Sequence, residues 1–247
     1  MKKLLISSIV FGILFLVIQK SQAADINSVI TNGDRNSHNI ALTFDADMTS
    51  GMLSKLEKKQ IKSLYNKAII DILKTNNIPA TIFLTGLWAK KYESVVKELA
   101  ANSLFEIADH SYSHLAFTSN CYNLETIKKE SIANNFKLSK ETLEQISGKK
   151  ISLFRFPGGC YDQNSLKLAN QAGLEVIGWD LASGDAFNSN TPAIIKNVVN
   201  NAKNGSIIVF HLSGDRYAPK TAEALKVIVK RLKNKGFNFV KVSDLIK

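Results

Sequence analysis

Histidine and cysteine are scarce in this chain, four and two among 247 residues. No internal repeat and no low-complexity linker interrupts it, so nothing divides it into several domains. Its longest apolar run, Leu4 to Ile18, falls short of the roughly 20 residues a membrane span needs. Acidic residues are outnumbered: 21 Asp and Glu face 32 Lys and Arg, a net charge of +11. A basic chain raises the thought of nucleic acid. Here the lysines are spread along candidate helices rather than clustered, and an N-terminus that reads as an export signal argues against nucleic acid as a partner. What remains is attraction to an anionic envelope or acidic polymer, or simply a solvated lysine-rich surface.

Residues 1–23 read as a signal peptide. Lys2 and Lys3 form a basic start, Leu4 to Ile18 an apolar centre, and Ser21-Gln22-Ala23 the small-x-small cleavage pattern. An uncleaved N-terminal anchor is the competing reading, and either one exports the remainder. Loss of Lys2, Lys3 and Lys20 lowers the charge to +8. The remaining chain of about 224 residues suffices for one domain with a substantial core. In an oxidising destination Cys121 and Cys160 can form a disulfide bracing two loops, or stay as two buried thiols.

A polar lead, residues 24–37, shows no periodicity. From residue 38 onward apolar runs alternate with amphipathic stretches. The runs are Ile40–Phe44, Ala80–Thr85, Phe105–Ala108, Ile151–Phe156, Leu174–Trp179, Ser206–Leu212 and Phe237–Val242. Each is short and nearly continuous, as a strand buried on both faces should be. Helices are expected over Lys55–Thr75, Glu93–Ala101, Leu124–Ile146, Asn164–Ala172, Pro192–Lys203 and Thr221–Lys235, with Gly173, Gly205 and Gly236 as C-caps. The alternation predicts one α/β domain whose parallel sheet is closed, or nearly closed, into a barrel.

In such barrels the loops leaving the C-terminal strand ends share one face, and sites are built there. That rule gathers Asp45 and Asp47 after the first strand, His110 and His114 after the third, and Arg155 at the end of the fourth. Asp180 and Asp185 follow the fifth, and His211 ends the sixth. His110 and His114, four apart, would lie on one face of a helical turn and could share a cation. By itself that spacing also suits a polar loop with two solvated imidazoles. Asp45 and Asp47 project to one side of an extended backbone; capping a turn is their plainer use. One aspartate with the two histidines makes a zinc-type donor set that leaves room for water, and Fe, Co or Mn would also fit. The other aspartate could then act as base. His211 suits a proton donor, though a lone histidine in an apolar run is more often a core residue. Asp185 could orient it. Arg155 could hold the base aspartate or form a plain structural ion pair. Pro157-Gly158-Gly159 is a turn whose N–H groups could face an oxyanion.

Thr43-Phe44-Asp45-Ala46-Asp47, His110-Ser111-Tyr112-Ser113-His114, Arg155-Phe156-Pro157-Gly158-Gly159, Trp179-Asp180 through Asp185, and Ile208-Val209-Phe210-His211 resemble, in order and spacing, the five motifs of the polysaccharide deacetylase family, carbohydrate esterase family 4. Ile78 to Gly86 resembles its second strand. The resemblance spans residues 38–247. It implies a distorted (β/α)7 barrel and a divalent metal, usually Zn2+. The implied reaction is removal of acetyl groups from an N-acetylated glycan of the peptidoglycan or chitooligosaccharide type. By the same resemblance Asp45 is the base, and Asp47, His110 and His114 are the metal ligands. Arg155 holds the base, His211 is the acid and Asp185 its partner.

Two departures stand out. Ala46 occupies the place of the family's second adjacent aspartate, so the metal falls to Asp47. Gly158 stands where the family often has an aromatic ring, and Trp88, Trp179, Tyr161 or Phe187 is expected to supply another. Relatives with the Asp-x-Asp arrangement include hydrolases of small cyclic amides, which is one rival reading. A catalytically inactive glycan-binding domain is the other.

Overall fold

The computed structural model describes residues 28–247, so the expected signal peptide lies outside the described residues. Seven parallel strands form one sheet, in the order β5-β4-β3-β2-β1-β7-β6. They are β1 (Asn39–Ala46), β2 (Ala80–Leu84), β3 (Phe105–Asp109), β4 (Leu153–Phe154), β5 (Glu175–Val176), β6 (Leu181–Ala182) and β7 (Ile207–His211). A short β8 (Asn238–Phe239) pairs the start of β1. β6 was not expected from the sequence, because two residues are too few to show a period. Only residues 177–180 join β5 to β6, although these strands occupy opposite edges of the sheet. So short a link reaches at most about 17 Å, and the sheet must therefore curl until its edges approach. The result is the expected distorted barrel, with a seam between β5 and β6. The polar lead crosses that seam: Ile30 bridges Ile177, and Asn32 bridges Ser206.

Alternation along the strands sorts the two faces. Leu42, Phe44, Ile82, Ile107, Ile208 and Phe210 point outward into one core shared with the helices. Ala41, Phe83, Ala108 and Ile207 point into the lumen, where Val242 and Leu245 of α9 (Val242–Leu245) close the bottom. The last expected strand therefore shortens to Asn238–Phe239, and its end becomes this plug.

The other helices are α1 (Ser50–Glu57), α2 (Lys67–Thr75), α3 (Gly86–Lys91), α4 (Glu93–Ala101), α5 (Ile132–Ser147), α6 (Gln163–Gln171), α7 (Thr191–Asn201) and α8 (Thr221–Asn234). The single helix expected over Lys55–Thr75 is in fact two. Lys59 takes a left-handed φ of 57°, and Ile61 and Leu64 turn into the core. The Trp88 indole donates to the Leu64 carbonyl at 2.8 Å, and the Tyr92 hydroxyl accepts from its N–H at 2.9 Å. Tertiary partners there replace the helical bonds. The helix expected from Leu124 starts only at Ile132, because a bridge between Ala116 and Thr126 keeps the preceding chain extended. Gly173 and Gly236 follow α6 and α8 with positive φ, as caps should. Gly205 is not a cap. A side chain there would lie 2.6 Å from the Gly33 carbonyl oxygen, so glycine admits the lead. Among the described residues no helix is long and apolar enough to cross a membrane.

Candidate metal centre at the barrel mouth

On β1 the lumenal series runs Ala41, Thr43, Asp45 and, just past the strand, Asp47. The two aspartates therefore stack toward the mouth. His110 leaves β3 on the same side. The stretch from His110 to His114 is a loop rather than the expected helical turn, because Ser111 and His114 take φ of 69° and 57°. Side chains hold it in that shape. Asp109 accepts from the Ser111 N–H at 2.9 Å and from the Ser139 hydroxyl at 2.5 Å, and the Ser111 hydroxyl accepts from the His114 N–H at 3.1 Å. Burial pushes the Asp109 carboxyl up to about 7.

The loop brings both imidazoles onto one carboxylate oxygen. Nε2 of His110 and Nε2 of His114 each lie 3.4 Å from Asp47 Oδ1. That oxygen is buried and accepts no hydrogen bond, a costly condition for a carboxylate. His110 Nδ1 donates to the Arg155 carbonyl at 2.8 Å; a carbonyl can only accept, so this nitrogen carries the proton and Nε2 is left facing Asp47. The Asp47, His110 and His114 donor atoms all lie within 4.8 Å of one another. An orphaned carboxylate oxygen with two imidazole nitrogens is what a divalent cation requires.

The charges agree. Burial would raise the Asp47 carboxyl, but His114, His110 and His211 outweigh it and hold the group well below the usual carboxylate range. Burial pushes His114 down to about 4, which keeps its lone pair free. Burial also opposes protonation of His110, yet Asp45 and Asp47 raise it: two anions there call for a positive charge. A divalent cation held by these donors would supply that charge in place of the proton.

Asp45 and His211 flank the triad. Asp45 Oδ1 accepts from Arg155 at 2.7 Å, and the same guanidinium bonds the Thr43 hydroxyl and the carbonyls of Ile177 and Gly178. Its carbon sits 3.9 Å from the centre of the Phe83 ring. His211 Nδ1 meets Asp185 Oδ1 at 2.8 Å, while Asp185 Oδ2 accepts from the His211 N–H and the Thr221 hydroxyl. This leaves His211 Nε2 facing Asp47 Oδ2 at 3.8 Å. Burial would lower His211, but Asp185 overcomes it and the imidazole rises to about 10.

Some expected residues go elsewhere. Asp180 precedes β6 and binds the Ile207 N–H, the Ser206 hydroxyl and Arg35, at the opposite end of β7 from His211. Asp185 accordingly follows β6, not β5. Trp88 is buried in the core, and Tyr161 stacks on Phe156 away from the triad. The Gly159 N–H is already engaged by the Phe156 carbonyl at 2.8 Å. Trp179 and Phe187 do line the cavity above the triad, about 400 Å³ in volume, together with Gly158. Tyr122, Tyr217 and Ser213 line it too and were not foreseen. Only the position of Tyr122 beside Cys121 hinted at its place. Cys121 and Cys160 are joined as a disulfide, tying the β3 loop to the β4 loop.

The polysaccharide deacetylase model matches residues 32–177. The chain belongs to the polysaccharide deacetylase family. Within that family it is 29% identical over 214 residues to a peptidoglycan-N-acetylglucosamine deacetylase of Bacillus cereus, covering 87% of this chain and 70% of that one. Among solved structures it is similar to the Bc1960 peptidoglycan N-acetylglucosamine deacetylase, crystallised in complex with an N-hydroxybenzamide. The TM-score is 0.74 at 27% identity, over 88% of this chain and 92% of that one. The fold is also shared with BA3943, a CE4 family pseudoenzyme from Bacillus anthracis, at TM-score 0.72 and 22% identity over 90% and 69% of the two chains. Asp185 and His211 lie beyond the matched span of the family model, and their geometry stands on the structure alone.

Proposed function

We propose that this member of the polysaccharide deacetylase family is an exported, metal-dependent hydrolase that removes acetyl groups from an N-acetylated glycan of the peptidoglycan or chitooligosaccharide type. One observation carries the reading. An arginine-held carboxylate and an aspartate-held imidazole flank an Asp-His-His donor set in a single cavity. Residues 38–247 form the catalytic domain, with the lead sealing its seam.

Asp47, His110 and His114 hold the divalent cation, for which Zn2+ is the leading candidate. When bound, the cation supplies Lewis acidity and makes water a competent nucleophile near neutral pH. Asp45, aimed by its bond to Arg155, takes the proton from the attacking water. The N–H of Gly158 stabilises the oxyanion that forms on the acetyl carbonyl. His211, charged and oriented by Asp185, gives its Nε2 proton to the leaving amine nitrogen as the carbon–nitrogen bond breaks. Acetate and a free amino sugar result.

The disulfide supports a site of action outside the reducing cytoplasm, and the relatives' peptidoglycan substrates support the same place. The simultaneous presence of base, donors and acid argues against an inactive glycan-binding domain. Acetate release from purified peptidoglycan fragments and chitooligosaccharides, with Zn2+ restored to chelated protein, tests the reading. No release from any glycan, with release from a cyclic ureide instead, would transfer the activity to small cyclic amides.

A further inference from the structure

Strand β5 is an edge strand of two residues, and the polar lead pairs with its outer backbone groups. The Ile30 N–H donates to the Val176 carbonyl at 2.9 Å, and the Gly178 N–H donates to the Ile30 carbonyl at 2.8 Å. Arg155 binds the same short stretch from inside the barrel. Its Nε donates to the Ile177 carbonyl at 3.3 Å and its Nη2 to the Gly178 carbonyl at 3.0 Å. Gly178 therefore holds the lead through its N–H and the guanidinium through its C=O. The remaining arm of the fork, Nη1, donates to Asp45 Oδ1 at 2.7 Å.

The lead is fitted closely to this position. A β-carbon on Gly178 would lie 3.0 Å from Val29 Cγ1 and 3.2 Å from Thr31 Cγ2, so glycine lets the lead rest against the backbone that Arg155 uses. Ile30 adds its side chain to the lumenal core. Across the seam the Gly33 N–H donates to the Gly205 carbonyl at 2.8 Å, and Arg35 bonds Asp180 and the Asn204 carbonyl. The lead is thus clamped at both ends. The guanidinium, by contrast, is not boxed in by atoms on this side. A cavity of about 120 Å³ is lined by Val29 and Thr31 of the lead together with Arg155, Gly178 and Trp179. Hydrogen bonds to the two carbonyls, rather than close packing, fix the fork there. A shift of those carbonyls would carry the fork with it and misaim Asp45.

We infer that the lead is a positioning element for the reaction: through Gly178 it fixes the two carbonyls that orient Arg155, and through Arg155 it aims the Asp45 carboxylate. Ile30 and Gly178 are then positioning residues, although neither lines the cavity that holds the triad. The inference rests on the deacetylase reading above for the role of Asp45 as base.

The test is a complementation on the full chain. Gly178→Ala pushes on Val29 Cγ1 and Thr31 Cγ2; adding Val29→Ala and Thr31→Ser removes the two atoms it meets. Acetate release is measured on the β-linked pentamer of N-acetylglucosamine, Zn2+ affinity by calorimetric titration, and exchange of the Arg155 Nε–H by NMR in chelated protein. Gly178→Ala should lower kcat about 10-fold, the scale of a slight misplacement of a catalytic group, with KM and Zn2+ affinity unchanged. Exchange of the Nε–H should quicken about 10-fold as its carbonyl partner loosens. The triple variant should recover both kcat and slow exchange, because the lead can settle back. Wild-type kcat and exchange in Gly178→Ala overturn the inference. So does a loss that the triple variant fails to recover, since Gly178 then acts through its own backbone and not through the lead. A joint fall of kcat, KM and Zn2+ affinity also overturns it, as a general loosening of the fold. Exchange that quickens and recovers as expected, in protein that releases acetate from no glycan, upholds the grip of the lead on Arg155 and refutes the deacetylase reading alone.

Discussion

The guanidinium of Arg155 and the carboxylate of Asp45 meet at 2.7 Å inside the barrel, joined from residues 110 positions apart. Arg155 has no solvent exposure, and its fork also reaches Thr43 and Gly178. Burial lowers its pKa while Asp45 opposes the change. Arg155→Ala should destabilise the fold by about 3–5 kcal/mol, because it strands a buried carboxylate. Arg155→Lys keeps the charge but loses the fork, and should cost less stability while lowering acetate release roughly 100-fold through misplacement of Asp45. Denaturant melts beside rate measurements check this; a lysine variant with full activity would remove the positioning role.

Asp185 governs the charge of His211. The imidazole rises from 6.5 to about 10 in this pocket. A raised basic group stabilises the fold fully below its unfolded pKa, and that contribution is lost as pH rises through the folded value. The pair therefore supports the fold below about pH 6.5 and fades toward pH 10. Asp185→Asn should lower the His211 midpoint, followed by NMR of the imidazole in chelated protein, and should move the alkaline limb of the rate profile downward. An unmoved midpoint would contradict the assignment.

Metal removal has a stability signature independent of turnover. Zn2+ at one hundred times its dissociation constant should stabilise the chain by about 2.7 kcal/mol, since a ligand that binds only the folded state acts by mass action. His114→Ala and Asp47→Ala should abolish that gain. Thermal melts with and without chelator decide it. An unchanged melting temperature on adding Zn2+ to wild-type protein would exclude the site.

The disulfide closes a separation of 39 residues. On a chain-entropy estimate the bond contributes about 4 kcal/mol of stability. A Cys121→Ser, Cys160→Ser double variant should lose stability on that order, and reduction of the wild type should reproduce the loss. Equal stability of reduced and oxidised protein would contradict it.

The absence of a side chain at Gly86 lets α3 lie directly against the histidine loop. A β-carbon on Gly86 would lie 2.4 Å from the Tyr112 ring, while the Gly86 and Leu87 N–H groups donate to the carbonyls of Ser111 and Tyr112. Gly86→Ala should cost about 1–3 kcal/mol by overpacking and weaken Zn2+ affinity by displacing His110 and His114. Zinc titration of the variant measures the second effect; wild-type affinity would show the loop to be independent of α3.

The local pattern made several of these features readable. Nearly continuous apolar runs marked β1, β2, β3 and β7, because those strands are covered on both faces. Extended spacing placed Asp45 and Asp47 on one side, and the barrel rule brought His110, His114, Arg155 and His211 to the same mouth. Other features had no local signature. Asp180 and Asp185 sit five apart and look alike in sequence, yet β6 lies between them and sends them to opposite ends of the barrel. Trp88 resembled a sugar-facing ring and is core, because Leu64 supplies its indole with a buried acceptor. Tyr122 lay in an unremarkable polar stretch, and only the disulfide placed it at the rim.

The sequence by itself determined which residues alternate into the lumen, since side-chain direction along a strand depends on neighbours one and two positions away. Tertiary structure alone decided that Asp47 Oδ1 would be left without a partner between two imidazoles, that the lead would seal the seam, and that Tyr122 and Phe187 would line one cavity. Those outcomes depend on how the sheet curls, and curling is settled by contacts between residues distant in the chain, for which no local spacing is a guide.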